Sequence, residues 1–219
     1  MTNRMEHLPV FILAGGHSRR FGSDKALAKR RGEIPSILYL QQQLIQNGCR
    51  EESIFAITGQ TKRYSDIGIR CLPDAIADAG PMGGVLTALQ HMRSVGLAGN
   101  SPYCLLLSCD LFEIPADWIS ALMVGTFTDA KPDGWTSTAD PPIVVLFDDG
   151  HCQPFPSLVH MDALPLLHQA LASGDYSLQR FYSKHREQVR RMTIPENWPE
   201  RIGFNTPDEL ILRESGKIS

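Results

Sequence analysis

The sequence predicts a three-layer α/β fold with a mostly parallel sheet, and three observations carry that expectation. First, short apolar runs alternate with segments of helical periodicity over residues 8–123, the pattern of parallel strands joined by crossover helices. Second, residues 103–107, Tyr-Cys-Leu-Leu-Leu, form an apolar run with no polar alternation, as expected for a strand covered on both faces. Third, the opening run Val10-Phe11-Ile12-Leu13 ends abruptly in Ala14-Gly15-Gly16, where the side chains vanish.

The first run reads as a buried strand entering a glycine-rich loop that carries Arg19, Arg20, Gly22 and Lys25. Glycine leaves the backbone N–H groups open to an anion and permits φ > 0. The stretch 10–25 therefore reads as a binding loop for a nucleoside triphosphate. Adjacent residues point apart, so Arg20 is expected inward and Arg19 solvated. A cation opening a helix opposes its dipole, so Lys25 is better placed facing phosphate. The loop is neither G-x-G-x-x-G nor G-x-x-x-x-G-K-[ST], which leaves the dinucleotide fingerprint and the P-loop unmatched.

Next, Lys29-Arg30-Arg31-Gly32 reads as a solvated hairpin tip rather than a contact to an acidic substrate. Residues 35–47 carry an apolar stripe at helical spacing (Ile37, Leu40, Leu44), with Gly48 as the terminating glycine. Residues 53–58 are a second strand ending in Thr58, and residues 69–73 a third closed by Asp74. Residues 79–84, Ala-Gly-Pro-Met-Gly-Gly, read as a loop before a helix with Val85, Ala88, Leu89 and Met92 on one face. The run 103–107 ends in Ser108-Cys109-Asp110, and residues 115–123 form a helix with Trp118, Ile119 and Leu122 inward.

Further on, residues 143–147 and 157–159 read as strands. Asp162 is placed to cap a helix through Ala172, a short helix starts near Ser177, and residues 189–194 form an edge strand. Thr206-Pro207-Asp208-Glu209 is a capping box opening a last helix. No repeat or linker interrupts the chain. Residues 1–219 are therefore expected to form one domain, with a nucleotide-binding half (1–125) and an acceptor-side half (126–219). Residues 126–142 match no pattern.

Bulk properties narrow the function. The 219 residues carry a formal net charge of −3, with 42% hydrophobic and 21% charged residues. That balance makes no general case for nucleic acid or a membrane surface, so neither is expected as a partner, and anion binding must come from local cations. No apolar run approaches the roughly 20 residues of a membrane span, and the N-terminal apolar segment is too short for a signal peptide. Five cysteines (49, 71, 104, 109, 152) without a C-x-x-C pair fit reduced thiols and a cytoplasmic setting better than a zinc site.

Parallel strands deliver their carboxyl ends to one sheet edge, where ligands of open α/β sheets bind. Gly15-Gly16, Thr58, Asp74 and Asp110 all end such strands. Asp74 by itself reads first as a turn or cap residue. Asp110 is the stronger candidate, because a carboxylate ending a buried strand is costly to desolvate without a cationic partner. Two carboxylates beside a phosphate loop point to a Mg²⁺–nucleotide site, since Mg²⁺ takes one or two carboxylates plus substrate phosphates.

At this point a resemblance becomes specific. Residues 13–27, LAGGHSRRFGSDKAL, resemble the signature L-A-G-G-x-S-x-R-M/F-G-x-x-K of the molybdenum cofactor guanylyltransferase family, the molybdopterin branch of the nucleotidyltransferases. Pro73-Asp74, residues 80–84, residues 108–110, Gln153-Pro154 and residues 205–210 follow in the family's order. The resemblance implies a Rossmann-like nucleotidyltransferase fold. It also implies transfer of GMP from GTP to the phosphate of molybdopterin, with release of pyrophosphate. Leu13, Ala14, Gly15, Gly16, Thr58, Gly80 and Gly83 would lie along the nucleotide, Asp74 at the nucleoside and Lys25 at its phosphates. Asp110 would hold Mg²⁺, with Lys25, Arg20 and Asp110 as the catalytic set. Gln153, Pro154 and Asn205 would belong to the molybdopterin side. Molybdoenzymes or their chaperones are the implied downstream partners.

The sequence departs from the family pattern at three places: Thr58 replaces a usual Asn, Phe21 a usual Met, and Gly203 the first amide of Asn-x-Asn. Two alternatives stay open at this level: a related transferase using CTP or another phosphate acceptor, and an inactive nucleotide-binding partner in cofactor delivery.

Overall fold

The computed structural model describes residues 4–15, 21–30, 33–97, 101–127, 142–148 and 152–216. Seven strands build the main sheet: β1 (Val10–Leu13), β4 (Ile54–Ile57), β5 (Cys71–Leu72), β6 (Tyr103–Ser108), β7 (Val144–Asp148), β8 (Cys152–His160) and β9 (Val189–Met192). Their order is β5-β4-β1-β6-β8-β7-β9. A separate two-stranded hairpin pairs β2 (Lys29–Arg30) with β3 (Ile34–Pro35). The ladders β5–β4, β4–β1, β1–β6 and β7–β9 are parallel; β6–β8 and β7–β8 are antiparallel. The expected mostly parallel sheet is therefore present, with one antiparallel strand, β8, set into it. The sheet runs without interruption through strands from both halves of the chain.

Side-chain alternation explains the three layers. Successive strand residues face opposite sides, and here both sides are apolar. Phe11, Leu106, Val144 and Leu146 join one core with α2 (Gly80–Ser94), α4 (Ala163–Ala172) and α5 (Leu178–Lys184). Val10, Ile12, Leu105, Leu107 and Val145 join the other with α1 (Ser36–Gln46) and α3 (Ala116–Phe127). Trp118, Ile119 and Leu122 of α3 are fully buried, as their spacing predicts.

Several expectations are corrected. Residues 80–84 are not a loop but the first turn of α2, with Pro81 near the helix start where its missing N–H is harmless. Strand β6 is covered on both faces, but it is parallel only to β1 and runs antiparallel to β8. Asp162 precedes α4 yet makes no side-chain cap; its own N–H is bonded to Nδ1 of His160 instead. The strand expected over residues 69–73 is only the two residues of β5. Arg30 is not solvated but 3% exposed.

The final helix, α6 (Pro207–Glu214), opens as predicted: Thr206 Oγ1 accepts from Glu209 N–H, and the Glu209 carboxylate accepts from Asn205 N–H. The Asn205 N–H first, and the Thr206 N–H with it, hold the Glu209 carboxyl below its ordinary range. Residues 128–141 lie outside the described residues.

Candidate active site

The carboxyl ends of β1, β4, β5 and β6 open onto a cavity of about 500 Å³. Leu13, Gly15, Thr58, Gly59, Asp74, Gly80, Gly84 and Ser108 are among the residues that line it. Glycine is favoured at position 59 by its backbone conformation, while a side chain at position 15 would be in ordinary contact with Asp74. A Cβ on Gly15 would sit 3.5 Å from Asp74 Oδ2, and one on Gly59 3.2 Å from the same oxygen, with Gly59 also at φ +72°. Asp74 is thus set among bare backbone. Burial, and secondly the neighbouring Asp78, push its carboxyl above the ordinary range. The loop behind it is tied to α2 by Thr87, whose hydroxyl accepts from Ala75 N–H at 2.9 Å and donates to the Gly83 carbonyl at 2.8 Å.

Beside the cavity stands a polar cluster. Lys25 Nζ lies 3.1 Å from Asp110 Oδ2 and 3.3 Å from Asn205 Oδ1, with only 13% of the lysine side chain exposed. Ser108 Oγ donates to Asp110 Oδ1 at 2.5 Å. The cationic partner that a carboxylate at this strand end needs is therefore Lys25, 85 residues away in sequence. Between Ser108 and Asp110, the Cys109 thiol is pushed up to about 12, by desolvation first and by the Asp110 charge second, so it is no nucleophile at neutral pH.

Lys25 opens a short 3₁₀ turn capped by Asp24, which accepts from Ala26 N–H at 3.1 Å. Asp24 also takes the Arg63 guanidinium at 2.9 Å and the Tyr64 hydroxyl at 3.0 Å. Tyr64 is 1% exposed, and its hydroxyl also reaches the Ala14 carbonyl at 3.4 Å. One carboxylate thereby joins the end of β1, the Lys25 turn and the loop after β4.

The expected site residues divide. Leu13, Gly15, Thr58, Asp74 and Gly80 line the cavity; Lys25, Asp110 and Asn205 converge on one another. Ala14 is buried, presenting its carbonyl to Tyr64 rather than a face to the cavity. The Thr58 hydroxyl is engaged within its own turn, donating to the Gln60 carbonyl and accepting from Gln60 N–H.

Gly83 has a packing reason to be glycine, since its Cβ would lie 2.8 Å from that of Ala79; at Gly84 a Cβ would meet Leu13 Cδ2 at 2.1 Å. Gly84 thus both lines the cavity and lets α2 pack closely on the end of β1. Gln153 and Pro154 open β8, half-buried, just ahead of Phe155 on the cavity wall. Gly16 and Arg20 lie outside the described residues.

Residue-by-residue reading missed Ser108, Gly59, Thr87, Arg63 and Asp24. Ser108 and Gly59 had a signal, since both sit at strand ends. Arg63 and Asp24 had none, because their pairing is set by the fold. Gly203 also finds an explanation. Leu111 and Gly203 form an antiparallel bridge, and a Cβ on Gly203 would lie 2.9 Å from the Asp110 carbonyl oxygen. Glycine at this position permits a close backbone approach that a side chain would hinder.

The donor set was weighed for a divalent cation. Among the described residues no group of three or more His, Cys, Asp or Glu side chains gathers. Asp110 with the Ser108 hydroxyl is a set of hard oxygens that fits Mg²⁺ held jointly with substrate phosphates. Among the described residues no helix is long and apolar enough to cross a membrane.

The chain is similar to known proteins in sequence and in fold. A probable molybdenum cofactor guanylyltransferase of Flavobacterium johnsoniae is 27% identical over 206 residues, covering 94% of this chain and 96% of the relative. The molybdenum cofactor guanylyltransferase of Pseudomonas putida is 27% identical over 212 residues, covering 96% and 99%. The crystal structure of molybdopterin-guanine dinucleotide biosynthesis protein A from Archaeoglobus fulgidus superposes with a TM-score of 0.67 at 16% identity, covering 95% of this chain and 97% of that one. The MobA-like NTP transferase domain matches residues 10–189, and the chain belongs to that family of nucleotidyltransferases.

Proposed function

We propose that this enzyme transfers GMP from GTP to the terminal phosphate of molybdopterin, forming molybdopterin guanine dinucleotide and releasing pyrophosphate. The observation that carries the reading is the Lys25–Asp110–Asn205 cluster beside the glycine-lined cavity: a cation and a carboxylate from the nucleotide half meet an amide from the acceptor half. The curated relatives' names support guanine over cytosine and molybdopterin as acceptor.

In this reading the nucleoside lies against Gly15, Gly59 and Asp74, with its triphosphate directed toward Lys25. The acceptor phosphate oxygen attacks the α-phosphorus; a P–O bond forms there as the α–β bridging P–O bond breaks, and pyrophosphate leaves. The nucleophile is already anionic, so no strong general base is required. Catalysis is then positioning plus neutralisation of charge.

Lys25 leaves Asp110 for the departing phosphates, assisted by Arg20, while Asn205 orients the acceptor. Mg²⁺ bound by Asp110 and Ser108 would supply further neutralisation of phosphate charge. Gln153 and Pro154 lie along the acceptor path, and the product would pass to molybdoenzymes or their chaperones. The cytoplasm is the proposed setting, consistent with five free cysteines.

The test is pyrophosphate release on mixing purified protein, Mg²⁺, GTP and molybdopterin, run beside CTP. Release with GTP and not CTP is expected. A CTP preference would replace the base assignment, and no release with either would assign the chain to binding rather than transfer.

A further inference from the structure

Arg30, expected in a solvated basic turn, is instead the most buried cation near the site among the described residues. Its side chain is fully enclosed and its guanidinium is sandwiched between the rings of Tyr39 and Phe112, at 4.3 and 4.2 Å, with Phe204 at 5.9 Å. Its Nε bonds Glu214 in the last turn of α6 at 2.7 Å, and an Nη bonds the Phe112 carbonyl at 2.5 Å. Each partner leads back to the cluster. Arg30 follows the Lys25 turn on β2. Phe112 is two residues beyond Asp110, and its N–H is bonded to the Ile202 carbonyl at 2.8 Å, while Phe204 N–H bonds the Asp110 carbonyl at 3.0 Å. Glu214 closes the helix that begins just after Asn205.

We infer that Arg30 is a positioning residue for the acceptor side of the site. It latches α6 and the strand-like segment 202–204 onto the Asp110 loop, and so sets Asn205 against Lys25. This inference rests on the proposed transfer reaction for its kinetic consequence, but not for its structural one. A planar fork is needed, because one guanidinium must reach a carboxylate and a carbonyl while stacking on two rings, which an ammonium does not do. Glu214, Tyr39 and Phe112 are not among the residues lining the nucleotide cavity, so the latch is expected to act on the acceptor rather than on nucleotide affinity.

The experiment compares wild type with Arg30→Lys and Glu214→Gln in the full chain. Glu214→Gln is included because its partly exposed position at a helix end lets the chain fold even if changes at Arg30 do not. Three quantities are read: the Kd of Mg-GTP by calorimetry, KM for molybdopterin and kcat from pyrophosphate release, and amide hydrogen exchange along the chain. Both variants are expected to raise the molybdopterin KM about 5–20-fold and to keep the GTP Kd within about twofold. Exchange should quicken over residues 202–214 and not in β1 or β4.

Equal losses in GTP affinity and molybdopterin KM, or unchanged KM with unchanged exchange over 202–214, would overturn the latch. Should the wild type release no pyrophosphate, the reaction assignment fails; the exchange result then decides the latch alone.

Discussion

On one flank of β6 the chain forms parallel ladders with β1, then β4 and β5, and every carboxyl end reaches a cavity lined by glycines and Asp74. On the other flank β8 pairs antiparallel, β7 follows it, and the segment returning through residues 202–214 closes back over the Asp110 loop. The first flank is built from crossovers between neighbouring strands, and its site is made of strand ends. The second depends on contacts over 180 residues or more: Lys25 to Asn205, and Arg30 to Glu214. Most of the cavity wall comes from the first flank, with Phe155 added from the second, whereas the polar cluster draws on both.

Removing the cluster's charges is the severest way to test that division. Lys25→Ala and Asp110→Ala are each expected to lower pyrophosphate release by about 10²–10³-fold, the scale for loss of one group that neutralises transition-state charge. Near-wild-type turnover in either variant would detach the cluster from catalysis.

Gly203→Ala tests the second flank. The new methyl would press on the Asp110 carbonyl, a backbone atom that cannot rotate away. A loss of about 1–3 kcal/mol in denaturant unfolding is expected, with a fall in turnover and an unchanged GTP Kd.

Gly84→Ala makes the opposite probe. Its methyl would displace the Leu13 side chain, which lines the cavity. About 1–2 kcal/mol of stability should be lost, together with GTP affinity, and the acceptor KM should hold. If both glycine variants weaken the same substrate, the two flanks are not separable.

Asp74→Asn gives the smallest stability effect. The folded carboxyl titrates above its unfolded value of 3.8 because burial and Asp78 disfavour its charge. Such a group contributes stability that is fully present below the unfolded value and lost as pH rises through the folded one. The amide variant should therefore be slightly more stable than wild type at pH 7, an advantage that disappears below about pH 4, while binding GTP more weakly. Stability curves at pH 3.5 and 7 check the sign; a variant less stable at pH 7 would show that the carboxylate is held by a favourable partner.

Legibility followed the same division. The apolar runs 10–13 and 103–107, the stripe of α1 and the box at Thr206–Glu209 were readable because burial and capping act within a few residues. The boundary at Gly80 was misread. Its Gly-Pro-Met-Gly-Gly composition resembles a turn, whereas Gly83 makes room for Ala79 and Gly84 for Leu13 at the start of α2. Arg30 was misread for a related reason: a run of cations signals solvent unless a distant carboxylate and aromatic rings enclose one of them.

The sequence by itself determined the layered α/β architecture, the glycine-rich end of the first strand and the strand-end carboxylates, since each rests on local periodicity and on the geometry of parallel strands. Only the tertiary structure decided that Lys25 meets Asp110 and Asn205, that Asp24 gathers Arg63 and Tyr64, and that Arg30 fastens the last helix. Those pairings depend on which surfaces the folded chain brings within about 3 Å, and spacing along the chain carries no record of that distance.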